Sequence, residues 1–165
     1  MKDLPTYLND HLAGSTAALD MLDDMIGTHR GKPLASFLKR LRDEIEADQR
    51  ELKELMARLD IEESPMRKAG AWVAEKFSRA KLRLGDAGEA NLALLQSFET
   101  LSLGITGKRS LWRTLAAAAE SAPRLSGLDF TRLEKRAADQ FEQVQGKALE
   151  IARRIFSRDL NERAD

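Results

Sequence analysis

The chain has 165 residues, 42% of them hydrophobic, which is enough for one domain with a sizeable core. Its 27 Lys+Arg balance 27 Asp+Glu, so no overall field draws it to nucleic acid. Cysteine is absent, which excludes disulfides, thiolate nucleophiles and thiolate metal sites, and no apolar run approaches the roughly 20 residues of a membrane span.

The prolines and glycines are few and fall mostly between segments of helical periodicity, so an all-α fold is expected, as one domain over 1–165. A first helix over about 4–26 carries Leu8, Leu12, Ser15, Leu19, Leu22 and Ile26 on one stripe, and Gly27 to Pro33 break it. A second, over about 34–60, has Leu34, Leu38, Leu41, Ile45, Asp48, Leu52, Leu55 and Leu59 at alternating steps of four and three. Asp48 is the one polar member of that stripe.

Ser64-Pro65 pairs a good N-cap with a good first helical residue and opens a shorter helix over about 65–84. It is basic through Arg67, Lys68, Lys76, Arg79, Lys81 and Arg83, with Met66, Ala69, Val73, Phe77 and Ala80 on its other face and Trp72 off the stripe. Packing on the bundle with the charges in water is the favoured use of such a helix, and contact with an anionic membrane the less favoured one.

Gly85 and Gly88 end this helix, and the next, over about 89–121, aligns Leu94, Phe98, Leu101, Ile105, Trp112 and Leu115. Pro123 to Asp129 form a loop with Asp129 as cap. The last helix, about 129–157, turns Phe130, Leu133, Ala137, Phe141, Val144, Ala148, Ile151 and Ile155 inward, and the polar tail Arg158 to Asp165 is expected to fray.

Short connections make each of the two long-helix pairs antiparallel. The intervening helix, about 19 residues at 1.5 Å each, covers roughly 28 Å and lets the second pair begin where the first began. An up-down-down-up bundle with one crossover helix follows. This arrangement resembles the ferritin-like superfamily, and Tyr7-Leu8-Asn9-Asp10-His11-Leu12 and Leu103-Gly104-Ile105-Thr106-Gly107-Lys108 resemble phrases in bacterial proteins described as ferritin-like. The resemblance implies a fold and no activity. Its di-iron members use a Glu on two helices and Glu-x-x-His on the other two, whereas here the residues three before His11 and His29 are Leu8 and Ile26. No metal ligand transfers, and no cofactor is expected.

Antiparallel pairing across 27–33 sets Ser15 opposite Asp48, with His11 one turn away. The later helices bring Lys108, Arg109 and Gln140 toward the same height. A polar core cluster of His11, Ser15, Asp48, Arg109 and Gln140 is therefore expected, better fitted to charge pairing and hydrogen bonding than to holding a cation.

A Ser15–His11–Asp48 relay would need an oxyanion hole and a substrate channel, and the stripes offer no gap of small residues wide enough for one. Gly104 to Ser110 has the wrong spacing for a phosphate loop, and its glycines are read as permitting close helix approach or a kink. The function expected is non-enzymatic, a cytoplasmic structural or interaction protein without a di-metal centre. Its partners would be a second copy or another protein, not nucleic acid. The alternative is a metal-binding or oxidoreductase-type protein with a non-standard site near His11 and Asp48.

Overall fold

A computed structural model describes residues 3–64 and 87–161. Among them the chain is helical, with α1 Asp3–Thr28, α2 Pro33–Arg58, α3 Ala87–Ala119 and α4 Phe130–Asn161, and no strand. The expected helix over 65–84, with Trp72 and its basic residues, lies outside the described residues. No described helix is long and apolar enough to cross a membrane.

The stripes of three and four steps are the buried faces. Along α2, Leu38, Leu41, Ile45, Asp48, Leu52 and Leu55 are all buried, and Leu34 and Leu59 pack half-buried at its two ends. The buried face of α1 is wider than its expected stripe and includes Asn9, Met21 and Met25. One continuous core results, centred on Leu22, Leu38, Leu55, Phe98, Trp112 and Leu133.

The helix ends differ from the expected ones for local reasons. α1 runs through Gly27 to Thr28, and the reversal falls at Gly31, whose φ of 79° suits a residue without Cβ. Pro33 then starts α2. α2 stops at Arg58 because Asp60 adopts a left-handed φ of 57°, letting the Ile61 N–H bond Met56 O and the Asp60 N–H bond Ala57 O. This is a Schellman closure, completed by Ile61 packing on the core. α4 continues to Asn161, four residues beyond the expected end.

Between α3 and α4 a single 3-10 turn, Pro123–Leu125, drives Leu125 into the core where only a loop was expected. Gly127 follows with φ 104°, and a Cβ there would meet the Arg58 guanidinium at 2.5 Å. Asp129 does cap α4, its Oδ1 accepting the Arg132 N–H at 2.9 Å.

Residue pairs give the register. Ser15 meets Gln49 and Asp23 meets Arg42, so α1 and α2 are antiparallel, one residue past the expected Ser15–Asp48 match. Ser102 with Gln145 and Arg109 with Glu134 show the same for α3 and α4. Glu51 with Arg132 and Glu44 with Gln140 show it for α2 and α4. α3 also packs on α1.

Asn9 ties the chain beyond α2 to α1. Its amide nitrogen donates to Pro5 O at 2.9 Å and Glu62 O at 3.2 Å, and its Oδ1 accepts the Ser64 N–H at 2.7 Å. Asn9→Ala strands these backbone groups around a buried position and is expected to cost about 1–3 kcal/mol. Urea unfolding measures this, and faster exchange of the Ser64 amide locates it.

Candidate functional site

Three helices bring charged side chains together at mid-bundle. α2 supplies Asp48, 2% exposed, from its otherwise apolar stripe, and Glu44 one turn earlier. α3 supplies Lys108, and α4 supplies Gln140, fully buried, with Arg136 one turn before it. Spacing of four residues stacks each pair on one helix face.

Each oxygen of Asp48 has one cationic partner. Oδ2 accepts from Lys108 Nζ at 2.5 Å and from Gln140 Nε2 at 3.2 Å, while Oδ1 accepts from Arg136 Nε at 2.6 Å. Lys108 Nζ also donates to Gln140 Oε1, and Gln140 Nε2 reaches Glu44 Oε2 at 3.2 Å. Gln140 thus uses its carbonyl for the cation and its amide for the carboxylates, the polarity an ion network requires. Burial pushes the Lys108 pKa below its ordinary 10.5, and Asp48 opposes that shift by favouring the ammonium.

Of the five residues expected in a polar core cluster, Asp48 and Gln140 are joined directly in this network. Arg109 is not in the core. Its side chain is 47% exposed and pairs with Glu134, while Lys108, one position and about 100° earlier on the helix, takes the inward place. Ser15 donates to Leu12 O at 2.7 Å and accepts from Gln49 Nε2 at 2.9 Å, so α1 joins α2 through Gln49. His11 stacks edge-on against Tyr7, with ring centroids 4.7 Å apart.

Arg136, Glu44 and Gln49 were missed from sequence. Each flanks an apolar stripe, and the signal available was a position four from Gln140, four from Asp48, or next to Asp48.

Burial lowers the pKa of the His11 imidazole from its ordinary 6.5, and Asp10 partly offsets this. With the folded value below the unfolded one, the unfolded chain binds more protons between them. Stability therefore falls as pH drops through the window below 6.5. His29 is shifted the same way by burial and by Lys32. Between pH 7 and 5, His11→Gln is expected to lose less stability than the parent, as urea midpoints at each pH would show.

His11, Ser15, Asp48 and Lys108 share the lining of one cleft between α1 and α3, with a volume of about 260 Å³. This corrects the expectation that the bundle leaves no gap of small residues. Gly14, Gly104 and Gly107 line it, and a Cβ added to any of them meets nothing within 4 Å among the described residues. Among the described residues no helix approaches closely at Gly104 or Gly107.

No family model, curated protein or solved structure matches the chain. The chemistry must be read from the arrangement itself. Among the described residues no three His, Asp or Glu side chains are grouped to hold a metal ion. What the arrangement does offer is a self-paired ion layer and an apolar cleft beside it.

Proposed function

We propose that the chain is a ferritin-like bundle without a di-metal centre, acting as a non-enzymatic structural or interaction module in a cytoplasmic setting. On this reading the long helices run up-down-down-up and residues 65–84 form the crossover helix. Two contacts support that direction: Phe37 lies against Phe98 and Asp48 against Lys108, so positions on α2 and α3 advance together. Consecutive helices that advance together need a connection that returns along the bundle.

Both oxygens of Asp48 are occupied by cations, Lys108 on one and Arg136 on the other, which supports this function. A carboxylate whose two oxygens already accept from cations is a poor ligand, and a divalent ion beside it would meet two positive charges. The alternative metal site near His11 and Asp48 would have to displace both.

The test is elemental analysis of protein purified without chelators, together with its mass in solution. The expected result is metal well below one ion per chain, unchanged in His11→Ala and Asp48→Ala. A stoichiometric ion that disappears in those two variants would establish the alternative.

A further inference from the structure

The large apolar side chains that α3 and α4 leave in water are not scattered. Leu92 and Leu103 stand on α3, and Leu149, Phe156 and Leu160 on α4, each at least 39% exposed. On α3 the exposed positions Leu92, Gln96, Glu99 and Leu103 step by four, three and four. On α4 the exposed positions Glu142, Gly146, Leu149, Arg153, Phe156 and Leu160 keep the same rhythm. Such spacing draws one straight stripe along each helix, here on the side away from the core, and a second stripe gives a helix a second side to pack.

The antiparallel register of α3 and α4 fixes how the two stripes lie against each other. Asn91 meets Arg154, Ser102 meets Gln145 and Arg109 meets Glu134. This register sets Leu92 level with Arg153, Gln96 with Leu149, Glu99 with Gly146 and Leu103 with Glu142. Four layers therefore run along the outer face, and their order is self-complementary. A two-fold axis that crosses the helices between the second and third layers turns the face onto itself. It brings Leu92 of one copy to Leu103 of the other, Arg153 to Glu142, Gln96 to Glu99, and Leu149 to Gly146.

Each of these meetings joins groups that suit one another: two leucines, an ion pair, an amide with a carboxylate, and a leucine over a residue without a side chain. Among the described residues the side chains of Glu99, Glu142 and Arg153 make no hydrogen bond or ion pair within the chain. Gly146 lies exposed in the middle of α4, where glycine favours helix less than alanine does and a Cβ would meet nothing among the described residues. A leucine from a second copy gives that glycine a use. Glu99 and Glu142 outnumber Arg153 across the four layers, so the face is unsuited to an anionic membrane.

We propose that the outer face of α3 and α4 is the interface of a two-fold homodimer in which each of these helices packs antiparallel on its own copy. Two helices about 10 Å across, over about 20 residues, give a face of roughly 600 Å² per copy, and about 1,200 Å² in total is where specific interfaces begin. Phe156 and Leu160 extend the apolar area beyond the four layers. The proposal names the partner of the interaction module and rests on that reading, yet the two fail separately. A metal-free monomer would end the dimer and leave the module reading standing, whereas a dimer holding stoichiometric metal would end the module reading.

The test is sedimentation velocity of the full chain, which is expected to run at twice the chain mass at submillimolar concentration. Glu142→Arg and Arg153→Glu change exposed positions and should each weaken the dimer about tenfold, because like charges then meet at two symmetric places. Mixing the two single variants should restore association, since every pair then joins an arginine of one copy to a glutamate of the other. Leu149→Asp should leave a folded monomer. A parent that stays monomeric, its face open or covered by another segment or partner, would overturn the proposal. So would unchanged association in both charge variants, or no recovery in their mixture.

Discussion

Asp48→Ala is expected to cost about 3–5 kcal/mol of folding stability, read from urea unfolding at neutral pH. The loss is large because the variant leaves Lys108 in the core and Arg136 at its edge without the carboxylate that both contact. Asp23→Ala provides the comparison, since the Asp23 side chain is 53% exposed against Arg42 and an exposed pair contributes about 1 kcal/mol or less. The same variant has a directional pH signature. In Asp48→Ala, Lys108 keeps the burial that lowers its pKa from 10.5 and loses the neighbour that raises it. The unfolded chain then binds more protons from the lowered folded value up to 10.5, so stability rises with pH across that interval. Part of the loss should therefore be recovered in alkaline solution.

Phe98→Ala is expected to cost a similar amount, about 3–5 kcal/mol, by a different route. Phe98 has no exposed surface and lies tilted against Phe37, ring centroids 6.2 Å apart, where the early turns of α2 and α3 meet. Truncation there opens a cavity that rigid helices close only in part. Leu103, equally apolar but 63% exposed on the same helix, should change stability by about 0.5 kcal/mol or less when replaced by Ala. Equilibrium unfolding of the two variants side by side separates burial from hydrophobicity.

The helices were legible because their hydrophobic residues recur at three and four, and a helix buries what that spacing aligns. Asp48 was legible for the same reason, as the one polar residue in a stripe from Leu38 to Leu55 that is buried throughout. Its partners were not. Neighbouring positions such as Lys108 and Arg109 differ by about 100° around a helix, and only the packing of α3 on its neighbours decides which long side chain turns inward.

Arg136 and Glu44 sit at stripe edges, where a flexible charged side chain reaches either water or core. The cleft was hidden because a glycine in a helix reads equally as close approach or as open space. The wall at Gly104 and Gly107 became distinguishable only with α1 placed opposite. Asn9 was read within an N-terminal phrase, yet its partners Glu62 and Ser64 lie more than 50 residues on. No local periodicity encodes such a contact.

Asp48 is paired inside the bundle with Lys108 and Arg136. A double-mutant cycle of Asp48→Leu and Lys108→Met tests this pairing most directly, with urea unfolding of the parent, both single variants and the double. If Asp48 and Lys108 neutralise each other, Asp48→Leu strands a buried cation and the double variant relieves it. The double variant should then be more stable than Asp48→Leu alone, with a coupling above about 1 kcal/mol. Purely additive losses, with the double variant less stable than either single, would show that the two charges are not paired.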